Sequence, residues 1–188
     1  LYEDYAPKAD TFTAKRNYTV GIPRSFSVHT LYPLYSWFFH ELGIKTILSD
    51  AVPHEGVARA ESSYCFPAEI AHGAVQDCLN KGVDYVLLPH FRDMQSYEDD
   101  VHANTCPITQ SLPYYIKKAF SDVDEKRFLP LVVSFKFGDK KALEHFTTMT
   151  AQLGISEGKP KRPLRRPWLN SGNTLPPLKS SGRKPWKK

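Results

Sequence analysis

The stretch "FPAEIAHGAVQDCLNKGVDYVLLP", residues 66–89, reads as a helix running directly into a buried strand. Pro67 stands where a first helical turn tolerates it, small and apolar residues recur at helical spacing, and Gly82 closes the helix. "VDYVLLP" (83–89) then gives a short, nearly continuous apolar run, the pattern of a strand covered on both faces. A helix that feeds such a strand is half of a parallel βαβ unit, so the question becomes whether the unit repeats.

It does, in both directions. "NYTVGIP" (17–23) reads as a first strand, "HTLYPLYSWFFHELG" (29–43) as a helix capped by Gly43, and "IKTILSD" (44–50) as a second strand. Downstream, "PITQSLPYYIKKAF" (107–120) is a helix that Pro113 kinks or splits into two short pieces. "FLPLVVSFKF" (128–137) and "DKKALEHFTTMTAQLG" (139–154) supply a fourth strand and a fourth helix. Strand then helix, four times over, predicts an α/β fold. It is Rossmann-like or flavodoxin-like and doubly wound, a mostly parallel sheet of about four strands with helices on both faces. With strand order 2-1-3-4, the loops after strands 1 and 3 flank the point where ligands bind.

The α/β domain spans 17–156, after an extended N-terminal arm at 1–16. The tail, 157–188, is basic and rich in Pro and Arg, with no periodic apolar face to bury; it reads as disordered or as sequence not native to the domain, or else as a basic arm for an acidic partner or nucleic acid. Ten of the 25 Lys and Arg lie between Gly158 and Lys188, which hold no Asp or Glu. That leaves 15 basic against 20 acidic residues upstream, so the net charge of +5 belongs to the tail and the body gives no reason to expect nucleic acid.

A chain that opens on Leu1 reads as a fragment. No apolar run approaches the ~18 residues of a membrane span, and no signal peptide is legible at the start. Three cysteines are too few for a secreted disulfide scaffold, so a cytoplasmic protein is expected. The chain contains no GxGxxG, GxxxxGK[ST] or HExxH, so no dinucleotide, ATP or zinc-protease site is detected.

Cys65 lies two residues before Pro67, and Cys106 immediately before Pro107, which places each thiol at or next to a helix N-cap. Unpaired N–H groups and the positive end of the helix dipole favour a thiolate there. Both helices follow carboxyl ends of strands, so both thiols face one edge of the sheet. Converging thiolates suit a metal or an iron–sulfur cluster; two ordinary buried thiols are the alternative. Cys78, 13 positions after Cys65 and so ~18–20 Å along a continuous helix, reads as core.

Several other residues are weighed at this edge. Arg24, after strand 1, is a contact for a phosphate or carboxylate, or a solvated loop residue. His90 follows strand 3 at the site edge as a second ligand-binding candidate. Glu61 reads as loop charge, His72 as a packed helix residue, and the aromatic cluster at 32–39 as helix packing. "RDMQSYEDDVHAN" (92–104) is a long polar loop that reads as a mobile loop before it reads as a lid.

Three stretches carry a family resemblance: "VGIPRSFSVHTLYPLYSWFFHELGIKTILSD", "SYCFPAEIAHGAVQDCLNKGVDYVLLP" and "NTCPITQSLPYYIKKAF". They resemble the domain of unknown function linked to the CoA-substrate-specific enzyme activases, related to 2-hydroxyacyl-CoA dehydratase and benzoyl-CoA reductase subunits. Those subunits carry a [4Fe-4S] cluster on three cysteines. The resemblance implies that Cys65 and Cys106 stand where two of those metal ligands would be, with an incomplete ligand set in this chain. It also implies electron transfer or radical acyl-CoA chemistry, with an activase ATPase module or a dehydratase subunit as partner, in cis or in trans, and an acyl-CoA as ligand. A non-catalytic docking module of a larger activase polypeptide is the alternative.

Overall fold

The structure, a computed structural model, describes residues 3–62, 65–94 and 103–155. The tail at 157–188 lies outside the described residues. Four strands form one parallel sheet in the order β2-β1-β3-β4: β1 is Thr19–Ile22, β2 Lys45–Leu48, β3 Tyr85–Asp93 and β4 Phe128–Ser134. Both outer strands pair in register with the centre, Val20 with Thr46 on one side and Val86 with Phe128 on the other. The chain winds outward from β1 to β2, then returns past β1 to β3, so the strand order reverses between β1 and β3. The expected doubly wound α/β fold is the one observed.

Two helices cover each face. On one, α1 (Val28–Glu41) and α6 (Asp139–Gln152) bury Leu34, Tyr35, Phe38, Phe39 and Phe146 against Val20, Ile22, Leu87 and Leu131. The aromatic run of α1 is therefore core, with Phe38 edge-on to Phe146 at 4.9 Å between centroids. On the other face, α3 (Phe66–Asn80) and α5 (Leu112–Ala119) bury Ala71, Val75, Cys78, Leu112, Ile116 and Phe120 against Val86, Leu88 and Phe128. The third predicted helix, 107–120, is split near Pro113: a single turn, α4 (Pro107–Gln110), precedes α5.

Three differences from the sequence expectation have local causes. A one-turn helix, α2 (His54–Val57), stands in what reads as loop, seated on α3 where Gly73 leaves room for Val52; a Cβ there would lie 2.4 Å from Val52 Cγ1. Residues 3–16 are not a free extension: two 3-10 turns bring the Tyr5 carbonyl to the Trp37 indole N–H at 2.8 Å, and the Lys15 N–H to the Gly43 carbonyl at 2.9 Å. Strand β3 runs past Pro89 to Asp93, because its pairing continues opposite Val132, Val133 and Ser134. Gly43, Gly82 and Gly154, each with positive φ, end α1, α3 and α6 as their positions suggest.

One approach sets the height of α3 above the sheet. Gly21 faces α3, and a Cβ placed on it would lie 2.9 Å from Cys78 Cβ and 3.1 Å from Cys78 Sγ. Cys78 is wholly buried there, and burial pushes its thiol up to about 12. A methyl group at Gly21 must push the helix off the strand. Gly21→Ala is predicted to destabilise the fold by about 1–3 kcal/mol, read as a lower urea midpoint with unchanged slope.

A second tie joins α3 to the end of β2. The Asp77 carboxylate, 6% exposed, accepts the Asp50 N–H at 2.9 Å and pairs with Lys81 at 2.8 Å. Burial alone would raise its pKa, but the Lys81 ammonium and the Asp50 and Ala51 N–H groups outweigh it and hold the carboxyl below its ordinary value. A depressed carboxyl gives its stability in full above the unfolded value and loses it as pH falls through the folded one. Asp77→Asn is predicted to cost about 1–3 kcal/mol at pH 7. That gap to the wild type should close below about pH 4, in urea melts across the acid range.

Candidate functional site

Helices antiparallel to their strands place their N-termini at the carboxyl edge of the sheet. Cys65 is the N-cap of α3, with extended backbone (φ −166°, ψ 155°), and Cys106 is the N-cap of α4. Both are free thiols; Cys65 is half-buried and Cys106 exposed, in contrast to buried Cys78. Since α3 packs over β1 and β3, and α4 against β3, both thiols lie at the point where strand order reverses.

Tyr115, on the first turn of α5, is half-buried, and its hydroxyl oxygen is sealed from solvent. Burial pushes the phenol pKa up, with lesser upward contributions from Cys65 and Cys106. Its ring stacks on His72 with centroids 5.4 Å apart, and His72 in turn stacks on Phe120 at 6.4 Å. His72 is 6% exposed and its Nδ1–H donates to the Ala68 carbonyl at 2.8 Å, so it is a packed helix residue, as its position suggests. Arg59 lies over the Phe120 ring at 4.6 Å and pairs with Asp122.

The β1–α1 loop forms the other wall. Arg24 is half-buried, and its N–H donates to the Ser49 hydroxyl at 2.7 Å, tying the end of β1 to the end of β2. Phe26 adopts φ +44°, a left-handed conformation costing about 1–3 kcal/mol in a side-chain-bearing residue. Its ring packs onto the α3/α5 core.

His90 lies within β3 rather than after it, on the α3/α5 side with Val86 and Leu88. Its ring meets Tyr114 edge-on at 5.8 Å, and burial together with Arg92 holds its pKa below the ordinary value. Glu61 is exposed, as loop charge should be.

Beyond His90, buried Asp93 accepts the Ser134 hydroxyl at 2.8 Å and the Lys136 N–H at 2.9 Å, which locks the ends of β3 and β4 together. Sequence reasoning ended the strand at 89 and so left Asp93 in a loop; its only signal was an acidic residue close behind an apolar run. The expected lid at 92–104 is closed at its base by the Met94 N–H to Ala103 carbonyl bond (3.0 Å) and the Thr105 N–H to Arg92 carbonyl bond (2.9 Å). Residues 95–102 between them lie outside the described residues.

The edge is rimmed with exposed apolar side chains. Among the described residues, Val52, Phe66, Met94, Tyr114 and Phe137 lie here, with Phe66, Tyr114 and Phe137 each at least 66% exposed. Two open grooves, one lined by Lys117, Asp122 and Glu125 and one by Tyr18, Asp84 and Arg127, lie at the opposite, amino edge. The thiols and the strained loop make the carboxyl edge the better candidate.

Two thiolates are soft donors that suit iron or another thiophilic metal. Among the described residues, however, no group of three His, Cys, Asp or Glu side chains is placed to hold a metal ion. The donor chemistry fits a cluster, and the donor count fits half of one. No helix among the described residues is long and apolar enough to cross a membrane.

The family model for the CoA enzyme activase uncharacterised domain matches residues 19–184, which takes in the sheet, both thiols and most of the basic tail. No curated protein and no solved structure matches the chain. The chain belongs to the CoA enzyme activase uncharacterised domain family.

Proposed function

We propose that this member of the activase-linked family contributes Cys65 and Cys106 as two ligands of a shared [4Fe-4S] cluster. It would serve electron transfer or radical acyl-CoA chemistry of the 2-hydroxyacyl-CoA dehydratase kind. The observation that supports the reading is that two free cysteines are helix N-caps, Cys65 of α3 and Cys106 of α4, at the same carboxyl edge of the sheet.

Cysteine thiolates are the usual protein ligands of such clusters, which move single electrons. With two ligands here, the remainder come from a partner, an activase ATPase module or a dehydratase subunit, in cis or in trans. Phe66, Tyr114 and Phe137, exposed at the same edge of the sheet, are the kind of side chains that a docking partner covers. Arg24 and His90, on either side of the strand reversal, are in this reading contacts for an anionic group such as a phosphate of acyl-CoA. Free thiols at an exposed edge suit a reducing, cytoplasmic setting.

The second reading is a non-catalytic docking module, favoured by the absence of a three-ligand group among the described residues. Anaerobic reconstitution with iron, sulfide and a small exogenous thiol separates the two. The cluster reading predicts visible absorption in the wild type and in Cys78→Ala, lost in both Cys65→Ser and Cys106→Ser. A colourless wild type, or a chromophore that survives both serine substitutions, sinks it and leaves the docking reading.

A further inference from the structure

We propose that the turn between β1 and α1 is a phosphate-binding loop. In it the Phe26 and Ser27 N–H groups and the Ser25 hydroxyl hold the phosphate of an organic ligand, and Arg24 balances its charge. The inference rests on the reading of Arg24 as an anion contact at this edge, and it needs no metal or cluster at the cysteines.

The first observation is a set of unused donors. The Ser25 N–H donates to the Pro23 carbonyl at 2.8 Å, the Val28 N–H to the Ser25 carbonyl at 3.0 Å and the His29 N–H to the Phe26 carbonyl at 3.2 Å. Between them, the N–H groups of Phe26 and Ser27 reach no acceptor among the described residues. Ser25 is 2% exposed, and its hydroxyl oxygen is buried with no hydrogen-bond partner. Covalent geometry keeps that hydroxyl beside the Phe26 N–H, the next group along the chain, so the unused side-chain and backbone donors form one cluster. Donors in folded proteins are normally paired, and adjacent ones left over at a ligand-binding edge call for an acceptor from outside the chain.

The second observation is the electrostatics of the helix start. Helix α1 is 14 residues long, with no acidic residue in its first turn and no side-chain cap from its N-cap, Ser27. The Ser27 hydroxyl lies 3.3 Å from the buried Tyr35 hydroxyl instead. The positive end of the helix dipole is thus left without a negative partner. Phe26 has φ +44° and Ser27 is right-handed (φ −63°, ψ −19°), an alternation of hand that turns successive N–H groups to one side as a nest for an anion. Arg24, half-buried, brings a guanidinium to the same turn, which the Arg24 N–H ties to the Ser49 hydroxyl at 2.7 Å.

The third observation is place. The turn follows β1 where strand order reverses, and there open parallel sheets seat phosphates on a helix N-terminus. A phosphate group carries three acceptor oxygens around one centre, enough for two N–H groups, a hydroxyl and a guanidinium together.

The test titrates inorganic phosphate, AMP and coenzyme A in turn into the full chain by isothermal titration calorimetry, with pantetheine as the phosphate-free control. The wild type should bind the organic phosphates and not pantetheine. Ser25→Ala should bind them at least about tenfold more weakly, the loss of one hydrogen bond to a charged group. Its urea midpoint should be unchanged or higher, since it removes an unpaired buried hydroxyl. Arg24→Gln should also bind more weakly, with a shallower dependence on salt. Tighter binding of coenzyme A than of AMP names a CoA ester as the source of the phosphate, and the reverse names a nucleotide; either supports the loop. Equal affinity of Ser25→Ala and wild type overturns the proposal, as does weaker binding matched by a loss of stability. A wild type that binds no phosphate compound, or binds pantetheine as well as coenzyme A, also overturns it. Cluster reconstitution reads a different property: a cluster without phosphate binding sinks the loop alone, and phosphate binding without a cluster sinks the iron–sulfur reading alone.

Discussion

The contact of α3 with β1 at Gly21 governs the geometry of this protein. A strand residue with no side chain lets the helix descend until Cys78 Cβ lies where a Gly21 Cβ would be, 2.9 Å away. Lowered onto the sheet and held sideways by the Asp77–Lys81–Asp50 network, α3 cannot slide without breaking a part-buried ion pair. Its N-terminus is thereby set over the reversal of strand order, and Cys65 with it. The buried thiol and the half-buried one are thus two ends of a single arrangement: Cys78 fixes the helix and Cys65 is what the fixing positions.

From that constraint the rest of the edge follows. α5 must pack beside α3, and the stack of Tyr115, His72 and Phe120 is the seam between them. The split at Pro113 turns the chain so that α4, with Cys106 at its start, lies against β3 while α5 covers the α3 side. Asp93 closes the far side by joining β3 to β4 through Ser134. The result is a rigid shelf with two thiols and an apolar rim.

Much of this was legible in the residues. Glycine caps at 43, 82 and 154 and prolines at 67 and 107 mark helix ends by backbone geometry alone, so helix positions and N-cap thiols could be read directly. The split at Pro113 follows from the missing N–H. Strand order could be inferred because right-handed crossovers leave few alternatives. What escaped depends on contacts distant in sequence. The extension of β3 to Asp93 is decided by pairing with β4, about forty residues on, and it moved His90 from loop to strand. α2 is a single turn, held by its seat on α3 rather than by its own periodicity. Tyr115 carries no motif; its sealed hydroxyl and its stacking on His72 follow only from packing between distant segments.

The central claim is that Cys65 and Cys106 form one site. A trivalent arsenical, which bridges two thiols, tests it directly. One equivalent added to the folded, reduced chain should protect both cysteines from subsequent alkylation, as mapped by peptide mass spectrometry, with Cys78 unreactive until the chain is unfolded. If either Cys65 or Cys106 is alkylated at its untreated rate after one equivalent, the two thiols do not form a common site and the account of this edge is wrong.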